Sequence, residues 1–240
     1  MMTERQENQI MDYLISQKLP LDILLEIKDH MMNQVMDIQL NENLSFEKAF
    51  SKAKDCWKSE FETVNYRMFF PVKIPLIAKK IIQEKYNSFL KNSLLIGLIF
   101  FGINVMLVYL SRNQEEYGIL FRVLNGMFLL VMGSVWLLNI RIWKYMRTDF
   151  KYKGKCFYTM YQQNMGLMIT CMIAMVQITG KNGHYAYQFF REDTISDIVM
   201  LLVTLIIPFL AQAGSVFALL SFFEHKKTLN RMKNFLETPA

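Results

Sequence analysis

Four long hydrophobic stretches, residues 92–110, 123–140, 156–179 and 198–223, divide this chain, and basic charge gathers on only one side of them. Each is close to the ~20 residues with which a helix rising ~1.5 Å per residue crosses a bilayer core. Hydrocarbon offers no partner to a peptide group, so a segment of this length must close its own backbone hydrogen bonds as a helix. Four crossings leave both termini on one side. The connector over residues 141–155 carries Arg141, Lys144, Arg147, Lys151, Lys153 and Lys155 against Asp149 alone, a net of +5. Connectors 111–122 and 180–197 carry 0 and −1. Loops rich in Lys and Arg stay in the cytoplasm, so the basic connector and both termini are expected there.

Hydrophobic residues make up 52% of the chain and charged residues 20%, yet charge avoids the four stretches almost entirely. That segregation is the mark of an integral membrane protein. A net charge of +6 suits nucleic acid in principle, but the excess lies beside the membrane, where anionic headgroups attract Lys and Arg. No direct nucleic-acid binding is expected. Cys56, Cys156 and Cys171 have no CxxC or Cys/His spacing and read as reduced, unpaired thiols. The first 60 residues are polar and charged, with no compact apolar core before a cleavage site, so the first span is expected to insert uncleaved.

Residues 1–64 hold 7 basic and 12 acidic side chains, a net of −5, whereas residues 65–91 hold 6 basic residues and Glu84, a net of +5. The reversal marks a boundary between an acidic head and a basic neck, followed by the membrane domain over 92–223 and a basic tail over 224–240. In the head, Leu24, Ile27, Met31, Val35 and Ile38 recur at three- and four-residue steps, as do Phe46, Ala49, Phe50, Ala53, Trp57, Phe61 and Val64. These predict two amphipathic helices, with Pro20 and Asp22 at the start of the first and Ser45 capping the second. A shorter helix over residues 4–17 turns Ile10 and Leu14 inward. Three helices in so short a segment bury a small core, which predicts reliance on a partner or on self-association.

Leu19, Pro20, Glu26, Asp29, His30, Ser45, Ala49 and Ala53 form a pattern of a Leu-Pro start, an acidic helix with His, and a Ser-x-x-x-Ala helix opening. In this the head resembles the HAAS domain, the helix-turn-helix-associated alpha-helical signalling domain of bacterial membrane proteins, and the related permease prefix domains. Asn43 stands where those domains carry Gly before the second helix. The resemblance implies a bacterial cytoplasmic membrane and a cytoplasmic protein partner, such as a PadR-like transcription regulator or a transporter subunit. It brings no catalytic residue. Glu26, Asp29, His30 and Asp37 share much of one side of the acidic helix and are the candidate partner-binding residues.

In the neck, Lys73, Lys79, Lys80 and Lys85 alternate with Ile74, Leu76, Ile77, Ile81 and Ile82. Pro71 and Pro75 stop the preceding helix, and Pro75 suits the start of a new one. The apolar members then lie in the interface while the lysines reach anionic headgroups, each for about 1 kcal/mol. An anchoring elbow is the simpler reading, and a lever between spans and head the sharper one.

Charge is missing from the middle of all four stretches, which argues against autonomous ion-coupled transport. The polar residues inside are amides and hydroxyls, among them Asn104, Asn125, Asn139, Gln177, Gln212 and Ser215, and are read as hydrogen-bonding glue between helices. Gly126, Gly133, Ala211, Ser215 and Ala218 are the expected packing seams. Pro208 is the hinge candidate, since it should kink the fourth span. Met165, Met168, Met172 and Met175 form a stripe on the third span, and thioethers bind soft Cu(I). Methionine more often fills helix-packing gaps, and His30, His184 and His225 lie too far apart to join it. No metal or cofactor is expected. Neither GxSxG, HExxH, P-loop nor dinucleotide motif occurs, and His184 with Glu192, Asp193 and Asp197 reads as a solvated outer loop. The aromatics beside it, Tyr185, Tyr187, Phe189 and Phe190, read as an interfacial belt.

The resulting expectation is an all-α polytopic membrane protein with four transmembrane helices and a small N-terminal cytoplasmic three-helix domain. Its leading role is non-enzymatic signalling, with an accessory or permease-like transporter subunit and a membrane enzyme as alternatives. Single cysteines placed at Thr148 and Tyr185 in a chain without its own cysteines test the topology. An impermeant thiol reagent added to intact cells should label the second position and spare the first.

Overall fold

Hydrocarbon-facing helices betray themselves by turning apolar side chains outward, and this chain does so on three helices long and apolar enough to cross a membrane. The computed structural model describes residues 2–17, 19, 21–66, 72–139, 160–181, 186–192 and 206–237. Their order is α1 (Glu4–Ser16), α2 (Leu21–Glu42), α3 (Phe46–Lys58), β1 (Thr63–Tyr66), β2 (Val72–Pro75), α4 (Leu76–Leu110), α5 (Gln114–Leu138), α6 (Met160–Lys181) and α7 (Ile207–Glu237). The three long apolar helices are α4, α5 and the Ile207–Met232 part of α7. In α6 the apolar stretch, Gly166–Gly180, is shorter. The basic connector over 141–155, the first residues of the third stretch, His184, Tyr185, Asp193 and Asp197, and the first part of the fourth stretch lie outside the described residues.

The chain forms two units. The first contains α1, α2, α3 and the ribbon of β1 with β2, together with α4 as far as Tyr86 and α7 from Lys226 onward. Its periodic positions are the ones it buries: Ile10, Leu14, Ile27, Met31, Val35, Ala49 and Ala53 are all 0% exposed. Alpha-helix 2 ends where Asn43 takes a φ of 52°, the left-handed region in which a short amide side chain replaces glycine at little cost. The next helix starts after Ser45, whose extended backbone lets the chain re-enter a helix at Phe46.

Two expectations are corrected here. Phe61 and Val64 do not extend α3, which stops at Lys58; a single 3₁₀ turn, Ser59–Phe61, follows and then the strand β1. Thr63, Val64 and Tyr66 favour extended backbone, and pairing with Val72–Pro75 gives the peptide groups partners in the register Val64 with Ile74 and Thr63 with Pro75. The unit is therefore not purely helical. The neck helix also does not present all its apolar side chains outward, because Ala78 and Ile82 are buried, as is Ile74 of the strand before it.

The second unit comprises α4 from Asn87, α5, α6, α7 as far as His225, and a short π-type turn, Gln188–Glu192. Its core gathers Val108, Tyr117, Phe121, Phe128, Met132, Met175, Ile178 and Tyr187. Leu98, Ile99, Leu130, Val131, Ile173, Val176 and Leu210 face out. Helix α5 starts at Gln114, well before Val123, because Asn113 caps it. The Asn113 Oδ1 accepts from the Glu116 backbone N–H at 2.8 Å, and the Glu116 carboxylate accepts from the Arg112 N–H at 2.7 Å. Glu115 and Glu116 then sit in the first turn, where the helix dipole favours them.

Among the described residues, a Cβ at Gly97 would lie 3.1 Å from Ala213 Cβ and one at Gly214 would lie 2.6 Å from Cys171 Sγ, whereas one at Gly126 or Gly133 would meet none of them within 4 Å. Ala211, Ser215 and Ala218 are buried as a seam requires. Gly214→Ala should cost about 1–3 kcal/mol through overpacking, and Cys171→Ala in the same chain should recover most of it. Gly126→Ala and Gly133→Ala should leave stability equal or slightly raised, read by thermal unfolding in detergent.

Candidate partner-binding helix and buried polar network

Helix α2 meets its neighbours through polar contacts that leave one stripe of its own free. Lys28 pairs with Glu7 of α1 at 3.5 Å. Glu42 pairs with Lys52, and Gln34 accepts from the Trp57 indole N–H, both on α3. The Trp57 ring stacks on Phe61 at 5.8 Å, fixing the turn that leads to β1. On α1, Tyr13 sits edge-on to Phe50 at 5.8 Å, and burial, with Asp55 as a smaller cause, pushes its hydroxyl pKa up.

The four candidate residues divide into two groups. Glu26 is half-buried; its Oε2 accepts from Arg231 Nη1 of α7 at 3.3 Å and lies 3.7 Å from Lys85 Nζ of α4. Asp29, His30 and Asp37 are exposed. No ion pair or hydrogen bond engages these three among the described residues. Asn33 and Leu40, the latter 82% exposed, continue the same stripe at helical spacing. The lysines of the neck divide likewise: Lys80 pairs with Glu60 and Lys85 with Glu26, while Lys73 is exposed and Lys79 half-buried.

In the second unit the buried amides assemble into a chain that the sequence did not specify. Asn125 of α5 donates through Nδ2 to Asn104 Oδ1 of α4 at 3.3 Å and to the Phe121 carbonyl at 2.8 Å. Its Oδ1 accepts from Gln212 Nε2 of α7 at 2.8 Å. Asn104 closes its own end on the Phe100 carbonyl at 2.9 Å. All three side chains are almost wholly buried, at 7%, 0% and 1% exposure for Asn104, Asn125 and Gln212. One residue thus ties three helices. Asn139, by contrast, turns back to the Val135 carbonyl of its own helix.

The methionine stripe is partly core: Met168 and Met175 are buried, and Met168 and Met172 join Met132 and Trp136 around an apolar cavity of about 170 Å³. Cys171 turns instead toward Gly214. Among the described residues no group of three His, Cys, Asp or Glu side chains is arranged to hold a metal ion. Pro208 is the second residue of α7, where its missing N–H interrupts no bond of that α-helix, and Ile206 before it lies in a π-type turn. At the other end of this unit Tyr187 donates to the Arg112 carbonyl at 3.4 Å, and Arg191 lies 5.7 Å from the Tyr187 ring centroid while donating to the Tyr109 carbonyl at 3.3 Å.

No family model, curated protein or solved structure matches the chain. Nothing in these comparisons identifies a HAAS or permease-prefix domain.

Asn125→Ala removes both interhelical bonds and leaves the Gln212 amide without its acceptor. At about 0.6–2 kcal/mol per such bond, a loss of roughly 1–3 kcal/mol is expected in reversible unfolding from detergent. Gln177→Ala should cost less, since that side chain is exposed and makes no hydrogen bond to another helix among the described residues.

Proposed function

We propose that this chain is a four-span signalling protein of a bacterial cytoplasmic membrane, with both termini in the cytoplasm and a HAAS-like head that binds a cytoplasmic protein. The reading is non-enzymatic. Its partner is a regulator of the PadR-like type, docking on α2 through the stripe of Asp29, His30 and Asp37, with the lysines Lys73 and Lys79 left to face anionic headgroups.

One observation carries the reading. On the same helix Glu26, Lys28 and Glu42 are tied by ion pairs inside the unit, whereas these three stand exposed along one stripe. An acidic stripe attracts a basic partner and speeds its approach through long-range electrostatics. The buried amides Asn104, Asn125 and Gln212, neutral and joined to one another, support a passive or sensing role for the membrane part. Three helices are long and apolar enough to cross a membrane, and the apolar character of the shorter Gly166–Gly180 supports reading it as the fourth crossing.

Capture from mildly solubilised native membranes after brief crosslinking tests the assignment. The wild-type chain should recover a DNA-binding protein, and Asp29→Lys with Asp37→Lys should lower that recovery at least tenfold with membrane insertion unchanged. Equal recovery by the variant contradicts the assigned surface. Recovery of an ATPase or permease in place of the regulator identifies an accessory transporter subunit instead.

A further inference from the structure

The methionines of α6 and the glycine at position 133 meet around one space. Helices α5 and α6 pack directly against each other, both within the second unit. The apolar cavity of about 170 Å³ lies between them, bounded by Met132, Gly133 and Trp136 on α5 and by Met168 and Met172 on α6. Gly133 makes the room on its side, since a Cβ there would meet none of the described residues within 4 Å.

The lining restricts what can enter. Its side chains carry no charge, amide or hydroxyl, and the Trp136 indole N–H is their one polar hydrogen. A site that selects a polar ligand places several polar groups to fix its orientation, and apolar space of this kind stays dry. The volume is close to the ~150 Å³ that accepts benzene, so it holds roughly six carbon atoms. Access is from the side. Trp136, Ile169 and Ile173 line the cavity and are also exposed, which makes it continuous with the outward apolar surface of Leu130, Val131 and Val176. On membrane-crossing helices that surface is covered by hydrocarbon. Unbranched, polarizable thioether side chains adapt to a flexible guest and gain dispersion contact with it.

We propose that the space between α5 and α6 is a lipid-chain site, in which one acyl chain of a bilayer phospholipid lies against Met132, Met168 and Met172. Gly133 leaves the room for its methylenes, and Trp136 stands at the rim. The site takes a chain and ignores the headgroup, because no charged side chain lines it. It gives the methionine stripe of α6 a use other than soft-metal binding. The inference goes beyond the signalling reading and makes no use of its partner surface; it rests only on the crossing of the membrane by α6.

The test is photolabelling of the full-length chain in vesicles of phosphatidylethanolamine and phosphatidylglycerol. The vesicles carry a phospholipid with a diazirine in one acyl chain, placed at successive carbons in a series of preparations. On illumination the diazirine loses dinitrogen, the carbene inserts into a neighbouring C–H bond, and mass spectrometry locates the adducts. Leu130 and Val131, 71% and 60% exposed, report ordinary contact with lipid, as Ile173 and Val176 do on α6. Met132 and Met168, at 6% exposure each, are reached from the cavity. The wild type should be labelled at both groups of positions. Gly133→Leu, a cavity-filling change, should lower labelling of the two methionines about fivefold and leave Leu130 and Val131 unchanged. Should that variant fail to fold, Met172→Trp fills the same space from α6. Labelled outward positions with unlabelled methionines overturn the proposal, and so does methionine labelling that the filled cavity leaves unchanged. Absence of label at Ile173 and Val176 in a chain labelled on α5 refutes the crossing by α6, and the lipid-chain site with it.

Discussion

Water's absence from the bilayer core governs this molecule. A polar group placed there must find a partner within the protein, and the chain meets the demand with amides. Asn125 uses both its donor and its acceptor to join α4, α5 and α7, each neighbour paired in turn. A single satisfied side chain thereby fixes which faces of three helices meet. The close approaches at Gly97 and Gly214 then need small residues opposite them, and Ala213 and the short Cys171 side chain supply them.

The same constraint explains the division of charge. Titratable side chains collect in the first unit, where they pair across elements: Glu7 with Lys28, Glu42 with Lys52, Glu60 with Lys80 and Glu26 with Lys85 and Arg231. Partly exposed pairs of this sort add little stability, about 0–1 kcal/mol each. They specify orientation instead. Each joins a different pair of elements, so together they hold α2 against α1, α3, α4 and α7 while its Asp29 and Asp37 edge stays exposed.

Helical periodicity made much of this legible. Ile10, Leu14, Ile27, Met31, Val35, Ala49 and Ala53 stand out at three- and four-residue steps and are the residues wholly removed from solvent. Asn43 and Ser45 marked the turn between α2 and α3 for a chemical reason, since one tolerates left-handed backbone and the other opens a helix. What failed were inferences that need a partner's position. The β ribbon pairs two short neighbouring strands, Thr63–Tyr66 and Val72–Pro75, and amphipathic spacing at Phe61 and Val64 imitated a helix in place of the first. Gly97 and Gly214, where helices come closest among the described residues, lacked a telling pattern. The Asn113 and Glu116 cap was readable as Asn-x-x-Glu, and it explains why α5 begins early. For the candidate surface, sequence placed Glu26 and Asp37 on one side of a helix, but the occupation of Glu26 by Lys85 and Arg231 came from residues 59 and 205 positions away.

The central claim is that a cytoplasmic protein covers the exposed edge of α2 in the native membrane. Thiol labelling of a cysteine substituted for Asp37, compared between inside-out native membrane vesicles and the purified full-length protein in detergent, tests it most directly. The account predicts slow labelling in vesicles and fast labelling after purification. Equally fast labelling in both would contradict it.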